Sequence, residues 1–201
     1  MPKERVHRDL AKRIPVLLTA LRVLLAPVVA ILAVFAPVPA AFAVCLVTAF
    51  LSDVFDGVLA RRLGVVSANL RRFDSAADTL FYATCLFAAW WLYPVAIRER
   101  IVSLSIFAAL EAFRYAFDFA KFRREASYHM WSSKVWGLSL FVGVFWILVL
   151  GEPNAAAVSL AIYMGIAADC EGLAISVLLP RWRADVPSFV HAMRIRRSGN
   201  L

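Results

Sequence analysis

The sequence lacks several features that would indicate a secreted or multidomain protein. It has only three cysteines, Cys45, Cys85 and Cys170, and all lie inside apolar runs, where we expect small buried hydrophobic residues rather than disulfides or metal ligands. It has no internal repeat, no low-complexity segment and no sign of a second domain. The first apolar run has no small-residue cleavage site and is followed by further runs, which argues against a removable signal peptide. We therefore expect residues 1–201 to form a single domain.

The composition instead indicates a membrane protein. Hydrophobic residues make up 62% of the chain and the mean hydropathy is +0.74, both far above the values of a soluble protein. The formal net charge is +8, but the basic residues cluster beside apolar runs instead of forming one soluble face. This pattern favours anionic lipid surfaces and phosphate-bearing substrates, and we predict no nucleic-acid partner.

Six apolar runs approach or exceed the roughly 20 residues that a helix needs to cross a bilayer. The fold class predicted from them is all-α, a polytopic membrane protein with six transmembrane helices. The predicted spans cover residues 15–36, 39–61, 74–96, 101–120, 134–150 and 156–179. Basic and apolar residues recur at helical spacing in residues 1–14, which predicts an interfacial amphipathic helix, and residues 180–201 form a basic tail.

The positive charges also predict the orientation. The N-terminus, the 61–72 and 121–134 connections and the C-terminal tail hold 5, 4, 4 and 5 Lys or Arg residues, whereas the other connections hold only Arg98 and Arg100. By the positive-inside rule, both termini lie in the cytoplasm, or at the cytoplasmic face of the inner membrane in a bacterium. The same rule puts the ends of spans two and three that face the 61–72 connection on the cytoplasmic side.

Four aspartates flank that connection, which is a costly place for acids at the edge of a hydrocarbon layer. Asp53 and Asp56 close the second apolar run, and Asp74 and Asp78 open the third. The spacings i, i+3 and i, i+4 put each pair on one helix face, so two antiparallel neighbours would direct all four carboxylates into one space. Four bare negative charges would repel one another there, and hard divalent cations would resolve the repulsion.

Arg22 is the one cation inside the first predicted span. A cation facing lipid there would cost at least ~2.5 kcal/mol. We therefore expect its side chain to face protein or a polar cavity.

These residues resemble the signature of the CDP-alcohol phosphotransferases, D-x2-D-G-x2-A-R-x8-G-x3-D-x3-D. Every interval is kept, and one fixed position departs, because Leu70 stands where the signature has its last glycine. Leu18, Thr19 and Arg22 also look like the L-T-x2-R of the family's first helix. The matching positions are Asp53, Asp56, Gly57, Ala60, Arg61, Asp74 and Asp78.

The resemblance implies a transferase that moves a phosphatidyl group from a CDP-alcohol to a hydroxyl and releases CMP. It implies a site for two Mg²⁺ or Mn²⁺ ions with Asp53, Asp56 and Asp74 as ligands. It also implies that Asp78 lies near the second ion and acts as general base. It also implies a homodimer. The residues that it implies for CDP binding are Asp53, Asp56, Gly57, Ala60 and Arg61. Without the resemblance, Gly57 and Ala60 could serve close helix packing and Arg61 could be a membrane anchor.

Two basic residues resemble positions that bind the acceptor in family members whose acceptor carries a phosphate, namely Arg114 and Lys134. Each has an ordinary alternative: Arg114 could pair with Glu111 or Asp118, and Lys134 could reach the membrane interface. Asp169 and Glu171 lie two residues apart and cannot share one helix face, and no role is assigned to them.

Several functions stay open at this point. The first is phospholipid synthesis from CDP-diacylglycerol and a small polar alcohol, where Asp-Ser at 74–75 looks more like the serine or inositol branches than the glycerol-phosphate branch. A CDP-choline or CDP-ethanolamine enzyme that acts on diacylglycerol would use the same signature. A cation-binding or transport protein could also hold a carboxylate cluster, but it does not explain Gly57, Ala60 and Arg61. A family member that has lost activity is the last alternative.

Overall fold

The computed structural model describes residues 13–65 and 67–197, and this part of the chain is helical without strands, which confirms the all-α class. The helices, numbered here in chain order, are α1 Ile14–Phe35, α2 Pro39–Leu63, α3 Ala68–Leu92, α4 Pro94–Glu99, α5 Ile101–Phe122, α6 Trp131–Leu148, α7 Ala156–Leu178 and α8 Phe189–Arg197. The predicted interfacial helix over 1–14 lies almost entirely outside the described residues.

Four of these helices, α1, α2, α6 and α7, are long and apolar enough to cross a membrane. Helices α3 and α5 have 25 and 22 residues, enough to span, but charged side chains along them lower their hydropathy. The structure therefore identifies an integral membrane protein with four clear candidate spans, and the count of six stays a prediction.

The third predicted span is displaced from the helix that the structure contains. Helix α3 begins at Ala68 rather than at residue 74, because Ser67 caps it: the Leu70 N–H donates to Ser67 Oγ at 3.1 Å. At the other end α3 stops at Leu92, two residues before Pro94, in keeping with the restriction that a proline imposes on its predecessor. Asp74 consequently lies in the second turn of α3 instead of at its start.

The described chain divides into two compact units, one from residues up to Pro94 with Ile147–Glu152, the other from Val95–Trp146 with the residues from Pro153 onward. The single-domain prediction is not tested by this division. In the first unit α1 packs against both α2 and α3, whereas α2 and α3 make little direct contact. The first helix is thus the common partner of the two helices that carry the aspartates.

The sequence of α1 explains why it can serve two neighbours. Its buried residues recur at intervals of four and three, which makes a continuous stripe along one side of the helix. Most members are small or apolar, but Thr19 and Arg22 belong to the same stripe and are 0% and 1% exposed. The buried members are Pro15, Thr19, Arg22, Ala26, Val29 and Ala33. The expectation that Arg22 faces protein is therefore correct.

In the second unit α5 packs against α7, and α7 against α8. Gly165 permits a close approach, because a Cβ there would lie 2.8 Å from ring atoms of Phe107 and Trp136. Lys121, at the end of α5, donates to the carbonyl oxygens of Ser176 and Val177 at 2.8 and 3.1 Å. These carbonyls belong to the last turn of α7, where a cation is favourable.

An apolar cluster ties the 123–130 connection and α8 to the end of α7. It consists of Tyr128, Met130, Ile175, Leu179, Val186 and Ala192.

Cys45 and Cys85 are buried, as expected, whereas Cys170 is exposed on α7 and the expectation was wrong there. The prediction for Cys170 rested on its position inside an apolar run, and such a run does not reveal which side of a membrane helix faces its neighbours.

Candidate functional site

Helices α2 and α3 bring three of the four aspartates together. Asp53, Asp56 and Asp74 each present one carboxylate oxygen, and these oxygens all lie within 4.8 Å of one another. Three anionic oxygens at this spacing form a donor set that suits a hard divalent cation such as Mg²⁺ or Mn²⁺. The residues present therefore fit the cation that the sequence led us to expect.

Asp78 is not a member of that triplet. It is joined to the other three aspartates by the guanidinium of Arg22, which contacts all four carboxylates. Arg22 Nη1 binds Asp78 Oδ1 and lies 3.1 Å from Asp53 Oδ1, while Nη2 binds Asp56 Oδ2 and Asp74 Oδ1. One guanidinium from α1 thus contacts all four signature aspartates, two of them from each neighbouring helix. Its planar fork of donors allows such multiple contacts, which a lysine ammonium could not make in the same way.

Thr19 adds a neutral contact from the same stripe of α1. Its Oγ1 lies 3.1 Å from Asp56 Oδ2 and also 3.1 Å from the carbonyl oxygen of Pro15. The Nε of Arg22, by contrast, is a buried donor for which the described residues provide no hydrogen-bond acceptor. The sequence had marked Thr19 only through the L-T-x2-R resemblance and had predicted that Arg22 faces protein or a polar cavity, so the contacts of both residues with the aspartates are new information.

The site is closed on one side and open on the other. The side chain of Asp56 is 6% exposed, whereas Asp53 is 47% exposed and both Asp74 and Asp78 are 35% exposed. Thr19 and Arg22 of α1 contact the buried Asp56, and the other three carboxylates are partly exposed. A ligand could therefore reach these three without rearrangement of the helices.

Gly57, Ala60 and Arg61 lie on α2 next to the aspartates. Ala60 is buried, and Arg61 is exposed with its guanidinium alongside Gly57. A Cβ added to Gly57 would meet Arg61 Nη1 at 3.5 Å, an ordinary van der Waals distance, and the protein itself thus leaves room for alanine. Because glycine weakens a helix relative to alanine, close packing within this unit does not explain why Gly57 is present.

Leu70, the departure from the signature, lies in the first turn of α3 and is half-buried. Its φ is not positive, since Arg123, His129 and Asp185 are the non-glycine residues with positive φ in the described ranges. The backbone at this position therefore does not require glycine for its conformation.

Arg114 and Lys134 lie in the second unit. Arg114 pairs with Asp169 on α7, with Nε 2.8 Å from Oδ1, instead of with Glu111 or Asp118 as the alternative had suggested. Lys134 Nζ lies 4.4 Å from the centroid of the Trp131 ring, a cation–π distance.

Glu171 on α7 and Asp118 on α5 also have partners that the sequence did not reveal. Glu171 Oε1 accepts a hydrogen bond at 2.9 Å from the backbone N–H of Phe189, which is the first residue of α8. Asp118 accepts from Ser176 Oγ, and the Tyr128 hydroxyl lies 2.8 Å from the same Ser176 oxygen. Burial raises the pKa of the Tyr128 phenol, so its hydroxyl keeps its proton within this buried chain of hydrogen bonds.

Comparison with known proteins places this sequence in a family. The family model described as CDP-alcohol phosphatidyltransferase matches residues 12–170, which include the four aspartates, Arg22 and the helices that carry them. Neither a curated protein nor a solved structure gives a significant match.

Proposed function

The chain belongs to the CDP-alcohol phosphatidyltransferase family, and on that premise we propose that it transfers a phosphatidyl group from CDP-diacylglycerol to the hydroxyl of a small polar alcohol, releasing CMP. Family membership makes it a transferase of phospholipid biosynthesis and disfavours the transport alternative. The donor, the acceptor and the metal dependence belong to the proposal.

One observation carries the proposal most directly. The signature aspartates of two helices lie around one point, with three carboxylate oxygens within 4.8 Å of one another. A packing motif would not gather four acids around one guanidinium, because a formal charge of three negatives remains and opposes the arrangement. A divalent cation would neutralise the diphosphate and the departing phosphate and thereby lower the barrier to attack by an oxygen nucleophile.

Asp53, Asp56 and Asp74 would hold that cation, and Asp78 would lie beside a second one. Gly57 would leave a shallow surface on α2 for the cytidine, and Ala60, which is buried, would border that surface rather than form it. Arg61 is exposed beside Gly57, where its guanidinium could donate two hydrogen bonds to a phosphate of the nucleotide. This arrangement would hold the donor along α2 with its diphosphate at the aspartates.

Asp78 would then act as general base. The acceptor oxygen forms a bond to the phosphatidyl phosphorus, the bond from that phosphorus to the CMP oxygen breaks, and the hydroxyl proton passes to the Asp78 carboxylate. The 35% exposure of Asp78 leaves its carboxylate accessible to a hydroxyl from outside the cluster. We further propose Arg114 and Lys134 as acceptor-binding residues.

The remaining features of the proposal concern the membrane. We propose six spans, with α3 and α5 as the two less apolar ones, and a homodimer with both termini and the aspartates at the cytoplasmic face, where CDP-linked donors and polar alcohols meet. A CDP-choline or CDP-ethanolamine donor with diacylglycerol as acceptor is the second candidate. The same signature serves enzymes with a CDP-linked lipid as donor and enzymes with a lipid as acceptor.

The direct test is CMP release by the purified protein. With Mn²⁺ or Mg²⁺ and CDP-diacylglycerol, we expect CMP only when a suitable alcohol is present, so serine, inositol phosphate, glycerol phosphate and choline are supplied in turn with radiolabelled donor. EDTA should abolish the release. No CMP from CDP-diacylglycerol, but CMP from CDP-choline or CDP-ethanolamine with diacylglycerol, would favour the second candidate.

The role of Asp78 is tested by Asp78→Asn, which removes the base but keeps the size of the side chain. We expect CMP release at saturating Mn²⁺ to fall at least ~100-fold, the scale of general-base catalysis, while the ion at Asp53, Asp56 and Asp74 still binds. Asp185→Asn is the matched control, because Asp185 is 64% exposed and lies outside the signature. Equal activity of Asp78→Asn and the wild type would contradict the assignment.

A further inference from the structure

We propose that Arg22 is an internal counter-cation that competes with the divalent metal for the signature carboxylates. This inference rests on the proposed metal-dependent function and concerns the ligand atoms themselves. Arg22 binds one oxygen each of Asp53, Asp56, Asp74 and Asp78, and three of those residues form the metal-ligand group. The guanidinium and a metal ion therefore draw on the same carboxylates.

Charge explains why a cation is built into this position. Four carboxylates around one guanidinium leave a formal charge of three negatives, so the cluster is held together but remains strongly attractive to further cations. Arg22 is 1% exposed, so bulk solvent screens its charge only weakly. A divalent ion that enters the cluster consequently meets an unscreened positive charge within contact distance of its own ligands.

The geometry of Arg22 indicates what it does once the carboxylates are shared. Its Nε is a buried donor without an acceptor among the described residues. A buried unpaired donor is costly, so the guanidinium gains if carboxylate oxygens rearrange around it when a metal ion takes some of their contacts. Two divalent cations would change the formal charge of the cluster from three negatives to one positive, which matches an anionic diphosphate. Arg22 is in this sense a positioning residue that couples metal binding to binding of the anionic donor.

The test is Mn²⁺ binding by EPR to EDTA-treated protein without nucleotide. Arg22→Gln removes the charge, and we expect Mn²⁺ to bind at least ~10-fold more tightly, because a unit charge a few ångströms away is lost in a poorly screened site. Arg22→Lys keeps the charge but cannot reach all four carboxylates at once, so its affinity should lie between wild type and Arg22→Gln.

Two controls separate charge from mere disturbance. Thr19→Val removes a hydroxyl that contacts the same cluster but leaves its charge unchanged, and Arg98→Gln removes a charge from an exposed position. Arg98→Gln should bind Mn²⁺ like wild type, and Thr19→Val should change the Mn²⁺ affinity less than Arg22→Gln does. Thermal unfolding gives a second readout: Mn²⁺ should raise the Tm of Arg22→Gln more than that of wild type, since tighter binding to the folded state stabilises it more.

The outcomes are distinct. Equal or weaker Mn²⁺ binding by both Arg22 variants overturns the inference, and if Arg22→Gln does not fold, Arg22→Lys decides alone. Failure of wild type and variants alike to bind Mn²⁺ overturns the proposed metal dependence as well. CMP release by wild type is measured separately, so a failed inference leaves an active, metal-dependent enzyme in place.

Discussion

Arg114 Nε lies 2.8 Å from Asp169 Oδ1, which joins α5 to α7 through a charged pair whose side chains are 22% and 8% exposed. Gly172, one turn further along α7, accommodates this arginine, because a Cβ there would come within 3.1 Å of Arg114 Cδ. The other carboxylate oxygen of Asp169 is buried without a hydrogen-bond partner among the described residues. The pair therefore has little capacity to tolerate the loss of one member.

This relationship gives the first prediction. Arg114→Met alone or Asp169→Leu alone should destabilise the protein by ~3–5 kcal/mol, because each leaves a buried charge unpaired. The double variant Arg114→Met with Asp169→Leu should recover most of that loss. Unfolding of the detergent-solubilised protein followed by tryptophan fluorescence gives the values, and additive losses in the double variant would show that the two residues do not act as a pair.

The second prediction separates stability from activity at Gly57. Gly57→Ala should stabilise the protein by ~0.5–1 kcal/mol, since the helix gains a better former and the new Cβ meets only ordinary contacts. CMP release should nevertheless fall about tenfold or more, because the methyl group would displace a nucleotide that lies on α2.

Gly137→Ala is the control for Gly57→Ala. Gly137 lies inside α6 and a Cβ there would have no neighbour within 4 Å, so we expect a similar gain in stability with unchanged CMP release. Unchanged release by Gly57→Ala as well would mean that the nucleotide does not approach this glycine.

The third prediction concerns Leu70. Leu70→Gly restores the residue of the family signature, but the backbone here has no positive φ for glycine to relieve. We expect a loss of stability of about 1 kcal/mol, the usual cost of glycine in a helix, and little change in the rate of CMP release. A large increase in rate would instead identify the leucine side chain as an obstacle to substrate. The same assay and unfolding measurement serve this variant.

The sequence predicted the helices better than their contacts. Apolar runs and proline positions located α1, α2, α6 and α7 to within a few residues, because periodicity and breakers act locally. The start of α3 was missed because its signal is one serine, Ser67, with no acid or amide three residues later to mark a capping box. That single hydrogen bond moves Asp74 from the first turn into the second.

In the candidate site too, the sequence predicted what lies within one helix but not the contacts between helices. Spacing put Asp53 with Asp56 and Asp74 with Asp78, since each pair needs only helix geometry. Spacing could not show that α2 and α3 hardly touch and that α1 lies against both, because partner choice depends on packing between distant segments. Arg22 was expected to face protein, but four carboxylates as its partners follow only from the three-dimensional arrangement.

The central place of α1 has a consequence for biogenesis. Arg22 is synthesised 31 residues before Asp53 and 56 residues before Asp78, so the ribosome delivers this cation to the membrane well ahead of any acid that can bind it. Until the second and third helices follow, α1 carries this arginine without its carboxylate partners, so a nascent chain that is halted before Asp53 should remain at the insertion machinery more often than one that is halted after Asp78.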